Sequence, residues 1–399
     1  MKKITIIGTG LGPDTITAEG RKALDAAEVW FGSERLLELC QRTAKTEKVT
    51  FPFYTKDPII QEMDHLTAQQ CAVLVSGDTG FYSAAHELYA ALSELQGYSV
   101  ELIPGIATVS AFFARLGLPW QDVCLFSAHG RDSTGLVSRV RRHRRVFCIT
   151  GGNIREISAV LEDAGFSSLA VYAGENLGLE DEHLFITNVK ALSSLGLSSL
   201  SVLVFENKHP DDRIRFGIAD EAFSRLEGIP MTKAEVRALA LAKLELRSDD
   251  TCYDIGAGTG SVSVEMALAA HQGQVFAIEE NPQALPLIHK NRKQFQLANI
   301  MLIEGEAPAS LTGLPNPDAV FIGGSKGNIQ EIIQWVTQKN PEVRLVITAI
   351  TIETVQRVLS CLPQVELIQV AAARSKKAGS QHLLQAQNPV FIMSVKGER

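Results

Sequence analysis

Residues 252–260 read CYDIGAGTG. An apolar stretch ending at Asp254–Ile255 runs into Gly256, Gly258 and Gly260, and a helical pattern starts near Ser261. This order predicts a buried strand, a tight glycine turn and a helix. Glycine lets the backbone turn sharply and approach a ligand closely. The helix start offers unpaired N–H groups and positive potential to an anion or carboxylate. The next predicted strand, 275–279, ends on Glu279, about 20 residues downstream, where an acid can accept both ribose hydroxyls of an adenosine ligand. Two alternatives stand beside this reading. One is a tight turn that holds no ligand. The other is an NAD-binding Rossmann domain, although the spacing here is GxGxG with Thr259 inside it rather than GxGxxG.

Outward from this loop, the second half alternates strand and helix patterns. Thr232 and Glu235 form a Thr-x-x-Glu capping-box pattern ahead of an Ala/Leu-rich helix reaching Leu246. Seven strands are predicted, at 251–255, 275–279, 300–304, 318–322, 344–349, 366–372 and 390–395, the last two joined as a hairpin. The first half also alternates, with strands near 3–7, 71–75, 100–103, 123–126, 146–149, 169–172 and 200–205. Helical patterns fall at 17–29, 83–95, 107–116 and 153–163. Residues 184–189 and 200–205 are separated only by a loop, which predicts an antiparallel ending and two lobes. The fold class is therefore α/β. The polar stretch 208–228 is read as a linker between domains at 1–207 and 229–399.

The chain has 399 residues, 45% hydrophobic and 21% charged, with a formal charge of −7. That is enough chain for two or three cored domains and excludes disorder or coiled coil throughout. Residues 229–399 are balanced, with 16 basic and 16 acidic side chains, and the first 228 are acidic. Neither half carries the basic excess of a general nucleic-acid binder. The six cysteines form no CxxC pair, and no metal site is expected. No 18-residue uncharged apolar run exists. The expectation is a cytoplasmic protein with neither nucleic-acid nor membrane partner.

The 252–260 loop resembles motif I of the class I S-adenosylmethionine-dependent methyltransferases, and seven strands with a terminal hairpin match that Rossmann-like fold. With MTKAEVRALALAKL at 231–244 and FIGGSKG at 321–327, the second half resembles the precorrin methyltransferases that alkylate carbon 15 and decarboxylate the carbon-12 acetate. The resemblance implies adenosylmethionine contacts by Thr232, Gly256, Ala257, Gly258, Thr259, Gly260, Glu279 and Ala307. Lys326 stands where that family leads one to expect a small residue.

In the first half, GTGLGPDTIT at 8–17, SGDTGFYS at 76–83 and PGIATVSAFFARLGLPW at 104–120 each place glycine after a strand, where ligands of open α/β sheets collect. In this order they resemble the tetrapyrrole methylase family, a two-lobed fold. SAHGR at 127–131 and GENLG at 174–178 resemble its branch acting on carbon 5 of precorrin-7. The resemblance implies a second adenosylmethionine site lined by Ser76, Gly77, Asp78, Ile106, Ala107 and Thr108, with Gly8, Gly10 and Gly12 facing the macrocycle. Leu11 and Thr79 depart from prolines usual in the family.

These resemblances together imply a bifunctional methyltransferase of corrin-ring synthesis, using one adenosylmethionine per domain on a tetrapyrrole, with or without cobalt. Homo-oligomerisation is implied by the same resemblance. A carboxylate-rich substrate calls for cationic partners. Arg374, Lys376 and Lys377 in the last hairpin region are candidates, and so is the cluster Arg139, Arg141, Arg142, Arg144 and Arg145. A solvated charged face is the alternative for both. His129 and His382 read as packing or surface residues, and no decarboxylation residue is identifiable. An RNA methyltransferase and a non-catalytic tetrapyrrole sensor are the rival functions.

Overall fold

The computed structural model describes residues 2–129 and 133–396, so Gly130 and Arg131 of the 127–131 segment lie outside the described residues. The chain divides into two compact units. One comprises Met1–Arg131, Arg145–Ile154 and Ala170–Glu206; the other comprises Asp132–Arg144, Arg155–Leu169 and Asn207–Arg399.

The first unit opens with strands β1 (Lys2–Gly8), β2 (Val29–Phe31), β3 (Val49–Phe51), β4 (Gln70–Val75) and β5 (Tyr98–Ile103). They form one parallel sheet in the order β3-β2-β4-β1-β5. A parallel sheet is covered on both faces, and β1 is buried from Ile4 to Gly8. Ile4 and Ile6 pack with Val73 and Leu88, while Ile7 packs with Leu24 and Trp30. The helix Ala18–Ala26 starts where Thr17 accepts a hydrogen bond from the Gly20 amide at 3.1 Å.

A second sheet holds β6 (Cys124–Ser127), β7 (Arg145–Ile149), β8 (Ala170–Glu175), β9 (His183–Asn188) and β10 (Ser201–Glu206), in the order β6-β7-β10-β8-β9. Only β6 and β7 are parallel. The two late strands expected as an antiparallel ending, β9 and β10, do not pair with each other. Each runs antiparallel to β8, which lies between them.

The second unit is built on β11 (Thr251–Ile255), β12 (Gln274–Glu279), β13 (Ile300–Glu304), β14 (Ala319–Ile322), β15 (Arg344–Ala349), β16 (Glu366–Val370), β17 (Ala373–Ala378), β18 (Gln381–Ala386) and β19 (Val390–Val395). Seven of these form one sheet, β13-β12-β11-β14-β15-β19-β16, with β19 antiparallel to both neighbours. The expected terminal hairpin therefore holds four strands rather than two. β16 and β19 complete the sheet, and β17 pairs with β18 as a separate ribbon. The order reverses beside β11, so the loop after β11 opens at the switch point where such sheets bind ligands.

Residues 208–228 are more than a tether. Asp220 and Phe223 are buried, and the Phe223 ring lies 4.8 Å from the Arg237 guanidinium carbon. Arg237, fully buried, donates to Glu265 Oε1 at 2.7 Å and Asp220 Oδ1 at 3.3 Å, and to the Thr232 and Ile218 carbonyls. Glu265 also accepts the Gly217 and Ile218 amides at 2.7 and 2.9 Å. Such dense pairing is what lets three charges sit out of water. The Thr232–Glu235 capping box does not form. Lys233 occupies the N-cap of the helix Ala234–Leu244, and Asp220 Oδ1 accepts the Ala234 amide at 3.0 Å.

Candidate functional site

In the second unit, the loops after β11, β12, β13 and β14 surround a cavity of ≈ 570 Å³. That volume suits a nucleoside-sized ligand. Gly256, Gly258 and Gly260 all take positive φ, between 55° and 75°. A Cβ on Gly256 would lie 2.7 Å from the Gly324 nitrogen, and one on Gly258 would lie 2.5 Å from the Pro230 carbonyl oxygen. The turn therefore requires glycine for backbone approach as well as for conformation.

Glu279 ends β12, nearly buried, and its carboxylate accepts the Gly258 amide at 2.7 Å and the Asn281 amide at 2.9 Å. Each oxygen keeps a lone pair for a ligand hydroxyl. Asp254 is the penultimate residue of β11 and is fully buried. The Ser263 hydroxyl donates to its Oδ2, while Oδ1 has no hydrogen-bond partner among the described residues. Burial pushes the Asp254 carboxyl up to about 7, against the Ser263 hydrogen bond that favours its charged form. An unpartnered buried acceptor on a cavity wall is a place for a ligand donor.

Thr232, Gly256, Ala257, Gly258, Glu279 and Ala307 all line this one cavity. Thr259 and Gly260 do not. Thr259 is buried beneath the turn, and Gly260 packs on Ile288 at the start of the helix Ser261–Ala269. Asp254, Glu280, Asn281 and Glu306 line it too and were not singled out from sequence, although each lies at or just beyond a strand end.

In the first unit, Gly8, Gly77 and Gly105 meet at the carboxyl ends of β1, β4 and β5. A Cβ on Gly105 would lie 2.2 Å from the Gly77 carbonyl oxygen and 2.7 Å from that of Gly8. Gly10 and Gly77 exchange both backbone hydrogen bonds, at 3.0 and 2.8 Å. Asp78 accepts the Gly80 amide at 2.8 Å and the Gly105 amide at 3.1 Å, tying the two loops together. Beyond them, Ile106 is exposed, Ala107 is the N-cap of the helix Thr108–Leu116, and Thr108 is its first residue. Thr15 Oγ1 accepts the Leu11 and Gly12 amides and returns a bond to the Gly12 carbonyl, shaping the opening loop. Gly178 of the late GENLG segment stands against Leu11, where a Cβ would lie 2.5 Å from the Leu11 Cβ. A small depression beside this loop brings Gly10, Gly12 and Ser76 together with Arg35, which the sequence reading did not flag.

The cationic candidates fare differently. Arg374 grips Glu235 through two bonds at 2.8 and 2.6 Å and reaches Asp220 at 3.0 Å. These pairs hold its charge strongly in place, so the structure gives it a clamping position away from the cavity lining. Lys376 and Lys377 are exposed on the β17–β18 ribbon, opposite Leu383 and His382. In the arginine cluster, Arg145 pairs with Glu206 at 3.0 Å, Arg139 donates to the Gly135 carbonyl, and Arg141 is buried. His129 and His382 are both exposed. No helix among the described residues is long and apolar enough to cross a membrane.

Comparison with known proteins gives two family matches. Residues 3–193 match the tetrapyrrole (corrin/porphyrin) methylases, and residues 222–397 match a precorrin methyltransferase domain. A Sinorhizobium protein named precorrin-6Y C(5,15)-methyltransferase [decarboxylating] is 31% identical over 331 residues, covering 80% of this chain and 78% of its own. The cobalt-precorrin-6B C(15)-methyltransferase (decarboxylating) of Salmonella typhimurium is 43% identical over 185 residues, 45% of this chain and 95% of its own. A crystal structure of precorrin-6Y C5,15-methyltransferase from Geobacter metallireducens is 39% identical, covers 45% of this chain and 96% of that one, and superposes with a TM-score of 0.43.

Proposed function

Because this chain belongs to the decarboxylating precorrin-6Y C5,15-methyltransferase family, we infer how its two halves share the work. It is a bifunctional C-methyltransferase of cobalamin biosynthesis. The proposal is that the enzyme starts from precorrin-6B or its cobalt complex and that its N-terminal half methylates carbon 5. The C-terminal half methylates carbon 15 and releases the carboxyl of the carbon-12 acetate as carbon dioxide, leaving a methyl on carbon 12 and giving the corresponding precorrin-8. The observation that carries this division is that the two family matches lie end to end along one chain.

Each half would hold its own adenosylmethionine. In the second half, Glu279 would receive the ribose hydroxyls, Asp254 Oδ1 would face a ligand donor, and Gly256–Gly258 would let the ligand lie against the backbone. In the first half, the loops tied by Asp78 and the segment Ile106–Thr108 would take the same role, with the opening glycine loop toward the macrocycle. Bound there, adenosylmethionine supplies an electrophilic methyl on sulfonium sulfur.

A meso carbon conjugated to pyrrolinic nitrogens is enamine-like, so methyl transfer asks the protein mainly for position and a dry pocket. Loss of carbon dioxide from the ring-C acetate leaves an electron pair conjugated toward carbon 15. Decarboxylation and methylation therefore suit one site. The test is mass spectrometry of precorrin-6B, with and without cobalt, after incubation with the protein and methyl-labelled adenosylmethionine. Gain of two labelled methyls and loss of one carbon dioxide is the expected result. No mass change with either form, from protein that binds adenosylmethionine, would sink the proposal.

A further inference from the structure

Lys326 lies in the Gly-Gly-Ser-Lys-Gly loop after β14 with φ of 44°. A side-chain-bearing residue seldom takes this left-handed conformation. Such an outlier beside a cavity points to a role for the side chain it presents. The Lys326 ammonium lies 2.5 Å from Glu280 Oε1, and Glu280 directly follows the last residue of β12. The pair thus links the loops on either side of the glycine turn, since β11 lies between β12 and β14. Lys326 is 70% exposed and Glu280 30% exposed. An ion pair this wet contributes little by itself and exchanges partners at small cost.

The surroundings make the pair distinctive. Glu279, Glu280 and Glu306 line the cavity, and Lys326 is its one cationic lining residue among the described residues. These acids hold the Lys326 ammonium firmly protonated, Glu280 foremost through its hydrogen bond. An acid-rimmed mouth repels a polycarboxylate unless a cation offsets it.

We propose that Lys326 receives a peripheral carboxylate of the tetrapyrrole, and that Glu280 holds the ammonium in place until the macrocycle arrives. The inference rests on the cavity being the carbon-15 methyl-transfer site. A lysine fits this exchange because its flexible stem carries three donors that can change partner one at a time. The carboxylate it holds is one the substrate retains. A cation on the departing carboxylate would stabilise the ground state and oppose loss of carbon dioxide.

The test uses the full chain and follows carbon dioxide release with precorrin-6B or its cobalt complex, whichever the wild type turns over. KM is measured for the tetrapyrrole and for adenosylmethionine in wild type, Lys326→Met, Lys326→Arg and Glu280→Gln. Lys326→Met raises the tetrapyrrole KM about tenfold, as expected for loss of one charge-assisted hydrogen bond. Lys326→Arg restores most of that loss. Glu280→Gln frees the ammonium and lowers the tetrapyrrole KM roughly two- to fivefold. Equal tetrapyrrole KM in wild type and Lys326→Met would overturn the proposal. So would shifts of the same sign in Lys326→Met and Glu280→Gln, or a change confined to the adenosylmethionine KM. Wild-type protein that releases no carbon dioxide would count against the carbon-15 reading instead, so the two failures are distinguishable.

Discussion

The Gly258 amide donates to Glu279 Oε2 at 2.7 Å, so the glycine turn after β11 and the acid closing β12 are one bonded unit. A change in either residue disturbs both. Gly258→Arg places a Cβ against the Pro230 carbonyl in a conformation with φ of 55°. It should abolish carbon-15 methylation and carbon dioxide release while carbon-5 methylation of supplied precorrin-7 persists, as read by product mass. The milder Glu279→Gln should weaken adenosylmethionine binding by the C-terminal half about tenfold, measured by calorimetry.

Asp78 should have the opposite effect on the product pattern. Its carboxylate joins the Gly80 and Gly105 amides, and Asp78→Arg removes both acceptors. The product should then lack the carbon-5 methyl. Loss of the carbon-15 chemistry in folded Asp78→Arg protein, or loss of carbon-5 methylation of supplied precorrin-7 in folded Gly258→Arg protein, would contradict the two-site division.

Arg237 is a stability residue. Arg237→Met leaves Glu265 and Asp220 buried without their shared cation. Breaking a buried pair in this way costs about 3–5 kcal/mol. Urea unfolding of the C-terminal half should show a loss of that order, and a loss under 1 kcal/mol would contradict the burial argument.

Asp254 gives the ligand-free protein a pH dependence. Its carboxyl is raised by burial to about 7 from an ordinary value of 3.8. Between those values the folded state keeps a proton that the unfolded state has lost, so this group's stabilising contribution is present below the lower value and is lost as pH rises through the upper one. Asp254→Asn removes that slope. The variant's Tm relative to wild type should therefore rise between pH 4 and pH 8, and parallel Tm curves would refute the assignment.

Local requirements were legible in the sequence. The glycine loops could be found because a positive φ or a backbone contact restricts the residue at that position, as at Gly256 and Gly258. The succession of strands and helices in the second unit followed from alternating apolar runs and from its resemblance to a known fold. Long-range choices were not legible. Arg374 pairs with Glu235 and Asp220 from 139 and 154 residues away, contacts that no local spacing announces. The capping box failed for a related reason, because Asp220 reaches the helix start from outside the motif. The β17–β18 ribbon escaped notice because its residues are exposed and show no buried alternating face.

The meeting of Gly8, Gly77 and Gly105 constrains how this half can diversify. Three loops leave the sheet through one crowded point, where a Cβ on Gly8 or Gly105 would collide with backbone and Gly77 holds a positive φ of 69°. Their roots therefore cannot drift apart, and insertions at the crossing would force the strands to separate. New substrate preference has to be written farther out, beyond Asp78 and Ile106. A loop-grafting experiment that cuts at those two residues should transplant specificity without disturbing the sheet.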